Sequence, residues 1–285
     1  MLTFKQDLTA RVKSWLRPYL QPRRFHAYGV GMPKTGTHSL AAVFERYRVW
    51  HEPERIHFME LIMARTKGEI SETAARAQLQ RLDRHLWLEL NSSWTNYLLT
   101  DMMLEEFPRV KIVLTIRDCY SWLDSIFNEM LGRTHADYMV SFHRWYASSL
   151  SPGSHQAGDR VLAERGLWPL DSWLRAWTEH NSRIISMVPS DRLLVVRTQD
   201  IRSDIPRLAQ FMGVPADTLD AGRSHEFKAE AKFGLLSKLD ERYLQDRVEA
   251  RCADLMRKFF PEIRGLQDVR GYQTRDAAPS AATTS

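Results

Sequence analysis

Cysteine is scarce in this chain, since only Cys119 and Cys252 occur among its 285 residues. The two form neither a C-x-x-C motif nor any spacing typical of a metal site. A framework of disulfides is therefore not expected, and the composition favours a reducing compartment. Cys252 falls in an amphipathic helical pattern and is expected in the core, whereas Cys119 is expected to be partly exposed.

Long apolar runs are also missing from the sequence. No stretch of about 18 apolar residues occurs, so the chain is predicted to have no transmembrane segment. Residues 1–8 lack the apolar region of a secretory signal. Both absences favour a cytoplasmic protein.

Charge of one sign does not dominate, because 40 Lys and Arg face 35 Asp and Glu for a net charge of +5. The nearest approach to a basic run is Arg23-Arg24, which is too short for a nucleic-acid-binding arm. The balance therefore predicts no nucleic-acid partner and fits a small anionic ligand. No cluster of residues has the spacing of a metal site, so no metal is expected. No dimer motif stands out, and the oligomeric state stays open.

The most informative stretch runs from Tyr28 to Leu40. A strand-like apolar segment leads into a turn with Gly31 and Gly36, and a helical pattern follows. Such a junction gathers backbone N–H groups and the positive end of a helix dipole at one point, where phosphates bind. Lys34 adds a cation before the second glycine, so the order differs from that of a Walker A loop, G-x-x-x-x-G-K-[ST]. Hydroxyl donors are added by Thr35, Thr37 and Ser39.

A second strand-to-helix junction lies about eighty residues further along the chain. Residues 110–116 are apolar and β-branched, as expected of a buried parallel strand, and Arg117 follows directly. A guanidinium group matches the oxygens of a phosphate. In a parallel sheet, both junctions would lie at the carboxyl ends of strands, where such folds bind ligands.

The two junctions resemble those of the PAPS-dependent sulfotransferases, in particular the bacterial and carbohydrate-type members (PAPS is 3′-phosphoadenosine-5′-phosphosulfate). The segment from Pro33 to Thr37, followed by Leu40, is similar to the loop that binds the 5′-phosphosulfate. The family also has an Arg at the end of a central strand and a Ser eight residues later, and Arg117 and Ser125 have that spacing. The resemblance implies that the nucleotide is bound by Pro33, Lys34, Thr35, Gly36, Thr37, His38, Ser39, Arg117 and Ser125.

The resemblance also implies the reaction, which is in-line transfer of a sulfuryl group from PAPS to a hydroxyl or amine of an acceptor that the sequence does not identify. Lys34 is implied to be the catalytic cation. The N–H groups of Thr35 to His38 would form the cradle, and the hydroxyls of Thr37 and Ser39 would bind the 5′-phosphate. No metal is needed, because the protein supplies the positive charge.

A hydroxyl acceptor needs a base. Cytosolic members of the family use a His shortly before the 3′-phosphate strand, but residues 88–93 contain none. Carbohydrate and several bacterial members use a Glu soon after the first helix, and Glu52 and Glu54 occupy that place here. In an extended chain these two side chains point the same way. The sequence favours Glu52 as the catalytic base, then Glu54, then His51.

Two other functions stay open. A nucleotide-dependent kinase would need ligands for Mg²⁺, and the position of Lys34 argues against it. A non-catalytic protein could keep the nucleotide-binding fold without a working base.

Strand and helix patterns alternate along the chain, which predicts an α/β, three-layer, P-loop-like fold with a central parallel sheet flanked by helices. The predicted domains are an N-terminal helical extension over residues 1–24, a sulfotransferase-like α/β domain over 25–272 and a disordered tail over 273–285. Shorter patterns predict helices that extend to residue 47 and over 56–90, 94–107, 168–187 and 228–260, and a polar loop over 151–160 beside the acceptor site. Residues 49–54 read as a short strand or a turn, and a strand end is the alternative to helix over 88–92.

Overall fold

The structure, a computed structural model, describes residues 20–132, 136–149, 153–223 and 232–269. These residues divide into two compact units. The first contains those within Met1–Arg117, His135–Tyr146 and Glu179–Lys228, and the second contains those within Asp118–Thr134, Ala147–Thr178 and Ala229–Ser285. The tail over 273–285 and most of the extension over 1–24 lie outside the described residues, so the domain boundaries stay predictions.

A five-stranded parallel sheet forms the centre of the first unit, with the strand order β2-β3-β1-β4-β5. The strands are β1 (Ala27–Gly29), β2 (Val49–His51), β3 (Leu90–Ser92), β4 (Lys111–Ile116) and β5 (Leu193–Arg197). The helices are α1 (Thr37–Val43), α2 (Arg55–Thr66), α3 (Glu72–Leu86), α4 (Thr100–Glu106), α5 (Cys119–Gly132), α6 (Asp137–Ser149), α7 (Arg160–Ala163), α8 (Leu170–Met187), α9 (Ile205–Met212) and α10 (Glu241–Phe259). The α/β fold with a central parallel sheet flanked by helices is confirmed.

The first unit has a layer of helices on each face of the sheet. Strand β1 shows this arrangement, because neighbouring side chains of a strand point to opposite faces. Ala27 of β1 belongs to a buried apolar cluster with Leu40 of α1 and Leu208 of α9. The next residue, Tyr28, donates its hydroxyl to the Asp83 carboxylate of α3 at 2.9 Å. The alternation along β1 therefore separates α1 and α9 on one face from α3 on the other.

Several helices are shorter than the sequence patterns predict. The pattern over 56–90 is two helices, because Gly68 has a left-handed backbone (φ 69°) and Ser71 caps the start of α3 by accepting the N–H of Ala74 at 3.2 Å. Helix α1 ends at Val43 instead of residue 47. The pattern over 94–107 begins with a 3-10 helix, Trp94–Leu99, before α4.

The predicted helix over 228–260 is also shorter, since α10 begins only at Glu241, where the Asp240 side chain caps it by accepting the N–H of Tyr243 at 2.7 Å. Residues 228–231 lie outside the described part of the chain. The polar loop predicted over 151–160 is described from residue 153 onward, and it contains a 3-10 helix, Ala157–Asp159. The aspartate at its end accepts the N–H of Leu170, the first residue of α8, at 2.8 Å.

The second unit is built around tryptophans. The ring of Trp173 on α8 packs edge-on against those of Trp122 and Phe127 on α5 and stacks on Trp168. Cys252 of α10 is buried as predicted, but Cys119 is fully buried as well, which corrects the expectation that it is partly exposed. Within the described residues, no helix is both long and apolar enough to cross a membrane.

Candidate functional site

The loop between β1 and α1 is braced from within by Thr35. Its backbone N–H and its hydroxyl both donate to the Met32 carbonyl oxygen, at 3.2 and 2.8 Å. Its hydroxyl oxygen also lies 3.1 Å from that of Thr115 on β4. Thr35 is fully buried. Both donors of Thr35 are therefore used inside the protein, which differs from the expectation that they face a ligand.

The outer side of the loop is held by Thr198, which directly follows β5. Its hydroxyl lies within hydrogen-bond distance of two carbonyl oxygens, that of Thr35 at 2.6 Å and that of Ile116 at 3.1 Å, and its single proton can be donated to either. One side chain therefore contacts both the loop and the end of β4. The loop is fixed by residues of two strands that are adjacent in the sheet.

Two positions of the loop require special backbone geometry. Lys34 and Gly36 have φ angles of 69° and 93°, in the left-handed region that favours glycine. A second glycine is required by close packing, because a Cβ at Gly31 would lie 1.9 Å from the Thr115 hydroxyl oxygen and 2.7 Å from the Thr115 carbonyl oxygen. The strand β4 therefore approaches the loop so closely that only glycine fits there.

The first turn of α1 has backbone N–H groups that lie outside the helical hydrogen-bond ladder. The first helical hydrogen bond runs from Leu40 N–H to the Gly36 carbonyl oxygen at 2.8 Å, so the N–H groups of Thr37, His38 and Ser39 come before the regular helical ladder. Thr37 is also held from the side, since its carbonyl oxygen accepts the Ser92 hydroxyl at 2.7 Å. Of the N–H groups predicted to form the cradle, that of Thr35 is used inside the loop, whereas those of Thr37 and His38 precede the helical ladder. Their part in a phosphate site stays a prediction.

The guanidinium group of Arg117 contacts the backbone of the loop at Lys34. Arg117 Nη1 donates to the Lys34 carbonyl oxygen at 3.3 Å, although the two residues are 83 positions apart. Lys34 lies in the loop that follows β1, and Arg117 directly follows β4, the neighbouring strand of the sheet. Ser125 lies on α5, in the second unit, and is buried. Its part in a phosphate site stays a prediction.

The segment that contains the predicted bases follows β2. Glu52 remains attached to the sheet, because its N–H donates to the Ser92 carbonyl oxygen at 2.9 Å. The expectation of an extended chain is wrong here, since Glu52 and Glu54 have φ angles of 53° and 46°. Each carboxylate instead pairs with a residue three positions later, Glu52 with Arg55 at 3.0 Å and Glu54 with His57 at 2.8 Å.

The third candidate base, His51, directly contacts the loop. Its Nε2 lies 3.1 Å from the Thr37 hydroxyl oxygen, and its ring lies 5.0 Å from that of His38. Burial, together with the smaller effects of the charges of His38 and Arg55, lowers the pKa of His51 to about 4. The imidazole is therefore neutral at physiological pH.

A buried histidine that no sequence pattern singles out also contacts this region. His180 of α8 is fully buried, and its Nε2 lies 2.6 Å from the Val30 carbonyl oxygen at the start of the loop. A carbonyl oxygen only accepts hydrogen bonds, so Nε2 carries the proton. Burial lowers the pKa of His180 to about 4, against a rise caused by the Val30 hydrogen bond. His180 is thus a neutral donor that fixes the Val30–Gly31 peptide.

Other residues of the site were also missed from the sequence. Thr115 reads as one more β-branched residue of a buried strand, and nothing near Thr198 indicates that its hydroxyl reaches the loop. Among the described residues, no group of three or more His, Cys, Asp or Glu side chains is placed to hold a metal ion.

Comparison with known proteins connects this geometry to a family. A family model described as "Sulfotransferase domain" matches residues 28–222, which is more than half of the chain. The matched range contains both strand-end junctions and the segment after β2.

Individual relatives are more distant. The "Ava biosynthesis cluster protein M" of Aspergillus versicolor is 30% identical over 104 residues, which cover 32% of this chain and 38% of that protein. The chain thus matches less than half of the length of this relative. Among solved structures, sulfotransferase STF9 from Mycobacterium avium is 12% identical, with 90% of this chain and 82% of that chain covered and a TM-score of 0.48. The sulfotransferase domain of the Synechococcus PCC 7002 olefin synthase is 15% identical, with 77% and 82% covered and a TM-score of 0.36.

Proposed function

Because this chain belongs to the sulfotransferase family, we propose that it transfers a sulfuryl group from PAPS to a hydroxyl- or amine-bearing acceptor by in-line displacement, without a metal ion. The observation that carries the proposal is the contact between Arg117 and Lys34 at 3.3 Å. It connects the two motifs that the sequence predicts to bind anions, the loop after β1 and the arginine after β4. One nucleotide with phosphates at both its 3′ and 5′ positions needs such a pair of sites.

The donors at the start of α1 fit the 5′-phosphosulfate end. An ammonium group comes from Lys34, and backbone N–H groups come from Thr37, His38 and Ser39, which precede the helical ladder. The hydroxyls of Thr37 and Ser39 belong to the same turn. Pro33, Thr35 and Gly36 would act through the shape of the loop rather than through side-chain donors.

The 3′-phosphate end is assigned to Arg117. Its guanidinium group follows β4 and is aimed at the loop through the Lys34 carbonyl oxygen. A planar fork of N–H donors is suited to two oxygens of one phosphate. We retain Ser125 as its partner on the basis of the spacing in the sequence.

The chemistry asked of the loop is electrostatic. PAPS, when bound, supplies an activated sulfuryl group whose departure leaves negative charge on an oxygen of the 5′-phosphate. The ammonium group of Lys34 and the N–H groups of α1 would stabilise that charge as it develops. Loss of one such donor typically reduces kcat by about 10²- to 10³-fold.

The acceptor proton has to be removed by a base near the loop. The segment from His51 to Glu54 is attached to the end of the sheet next to α1, through the hydrogen bonds from Glu52 to Ser92 and between His51 and Thr37. We therefore place the base in this segment. Glu52 and Glu54 are the carboxylates that the sequence favours, and His51 is the alternative.

A thermal shift experiment tests the nucleotide assignment. Adenosine 3′,5′-bisphosphate without magnesium should raise the melting temperature, whereas ATP with magnesium, the ligand of a kinase, should not. At 100 times its Kd, a ligand stabilises the folded state by about 2.7 kcal/mol. Lys34→Ala should weaken the shift, and Lys67→Ala, which removes an exposed lysine from the end of α2, should not.

Transfer of radiolabelled sulfate from PAPS to a library of phenols, sugars and other alcohols and amines tests the activity itself. Nucleotide binding together with transfer supports the proposal. Binding without transfer to any acceptor would instead indicate a non-catalytic nucleotide-binding protein. Stabilisation by ATP with magnesium, but not by the bisphosphate, would indicate a kinase.

A further inference from the structure

The hydrogen bond between Thr37 and His51 can run in either direction. The Thr37 hydroxyl oxygen lies 3.1 Å from His51 Nε2, and either atom can carry the shared proton. Thr37 has little freedom to move, because it is 6% exposed and its carbonyl oxygen accepts the Ser92 hydroxyl. The direction of this one bond decides which nitrogen of His51 holds a lone pair.

Phosphate bound at the start of α1 removes the ambiguity. The oxygens of an ionised phosphate only accept hydrogen bonds, and a threonine hydroxyl has a single proton to donate. If the Thr37 hydroxyl donates to the phosphate, it can only accept from His51. Nε2 of His51 must then carry the proton, and Nδ1 is left with its lone pair.

We infer that His51 is the base that takes the acceptor proton, through Nδ1, and that a nucleotide phosphate bound at Thr37 selects the tautomer able to do so. The inference rests on the proposed sulfuryl transfer. It also predicts that the nucleotide acts before the proton is transferred, because the required tautomer of His51 is selected only when the donor nucleotide is bound.

The O–H or N–H bond of the acceptor breaks, its proton moves to His51 Nδ1, and the acceptor atom forms a bond to sulfur. The bond from sulfur to the 5′-phosphate oxygen breaks, and its electron pair stays on that oxygen, in adenosine 3′,5′-bisphosphate. The imidazolium then releases its proton to solvent.

The ion pairs and hydrogen bonds of the three candidates favour His51. Glu52 forms an ion pair with Arg55, and Glu54 pairs with His57. Within the described part of the chain, the only hydrogen bond of the His51 side chain joins its Nε2 to the Thr37 hydroxyl, and Nδ1 is the other ring nitrogen. The charges that face His51 come from His38 of α1 and Arg55 of α2, and both oppose its protonation. An anionic nucleotide beside Thr37 would offset them while the proton is transferred.

Nuclear magnetic resonance can read the tautomer directly. In protein with ¹⁵N-labelled histidine, we expect the His51 signals to show protonated Nε2 and unprotonated Nδ1 once adenosine 3′,5′-bisphosphate is bound at neutral pH. Thr37→Ser should keep this preference, whereas Thr37→Val, which has the same shape but no hydroxyl, should lose it. A bound complex with protonated Nδ1, or with both tautomers equally populated, would overturn the inference.

Kinetics supply the second arm. The amide nitrogen of His51→Gln can replace Nε2 as donor to Thr37, but the variant has no base at the position of Nδ1. Its kcat should fall by about 10²-fold or more, while its Kd for the bisphosphate changes little. His85→Gln, on α3, should leave both values unchanged.

The two arms separate the inference from the proposed function. If the bisphosphate does not bind wild-type protein, the proposed function is wrong. If it binds and sulfate is transferred, but His51→Gln keeps full kcat, the function stands and His51 is not the base.

Discussion

The hydroxyl oxygens of Thr35 and Thr115 lie 3.1 Å apart and tie the loop after β1 to the strand β4. The same strand leads into Arg117, which reaches back to the loop at Lys34. The loop and the strand-end cation therefore cannot move independently. A change that pushes β4 away from the loop should disturb both ends of a bound nucleotide at once.

Gly31→Ala should produce this disturbance. The new methyl group would lie 1.9 Å from the Thr115 hydroxyl oxygen and 2.7 Å from its carbonyl oxygen, and a backbone atom cannot turn aside. Overpacking of this kind costs about 1–3 kcal/mol. We expect a lower free energy of unfolding in urea and loss of bisphosphate binding in calorimetry. Gly153→Ala, where the methyl group meets nothing within 4 Å, is the control. Wild-type binding by Gly31→Ala would contradict the packing argument.

The sequence predicts the strands β4 and β5 well because their runs of β-branched apolar residues match those of buried parallel strands. The strands β2 and β3 have three residues each, with Trp50, His51, Asn91 and Ser92 among them, so neither shows a clear apolar pattern. Their place in the sheet follows from pairing with each other and with β1, which a local pattern does not reveal.

The local motifs of the candidate site were also predictable from the sequence, whereas its long-range contacts were not. The order of residues in the loop and the arginine after β4 indicate phosphate binding. The internal role of Thr35 was not predictable, because its partner Thr115 is 80 positions away. The left-handed backbone of Glu52 and Glu54 was missed for a similar reason, since glutamate rarely adopts it unless the surrounding structure requires it.

Lys34 allows charge and backbone strain to be separated. Its φ of 69° is unfavourable for any residue with a Cβ, and glycine adopts it freely. Lys34→Gly and Lys34→Ala should both reduce kcat by about 10²-fold or more, because both remove the cation. Lys34→Gly should nevertheless be at least as stable as Lys34→Ala in chemical denaturation. A clearly less stable glycine variant would show that the left-handed backbone is not what the loop requires.

Asp83 makes the first unit sensitive to acid. Burial raises the pKa of this carboxyl, but the hydrogen bond and charge of His26 and the charge of Arg23 outweigh that effect and lower the pKa to about 2. A carboxyl whose pKa is depressed by folding contributes stability above its unfolded pKa and loses it as the pH falls toward the folded value. The contribution is on the order of 2 kcal/mol.

The pKa of His26 is lowered by burial, against the hydrogen bond to Asp83, so His26 also makes the fold less stable as the pH falls below its unfolded value. Urea unfolding measured between pH 7 and pH 3 should therefore show a falling free energy of unfolding. Asp83→Asn should be less stable than wild type at pH 7, and the difference should narrow below pH 4. A constant difference across this range would mean that the charge of Asp83 is not what stabilises the fold.

Arg117 can be assigned to one end of the nucleotide by comparing two ligands. If its guanidinium group binds the 3′-phosphate, Arg117→Met should weaken the binding of adenosine 3′,5′-bisphosphate by about 10- to 100-fold, as expected for the loss of a hydrogen bond to a charged group. The substitution should hardly change the affinity for adenosine 5′-monophosphate, which lacks that phosphate. Arg160→Met, at a position whose side chain is 82% exposed, controls for loss of a positive charge alone. Equal weakening of both ligands would place Arg117 at the 5′ end, beside the loop whose Lys34 carbonyl oxygen it contacts, and the two anion sites would then be one.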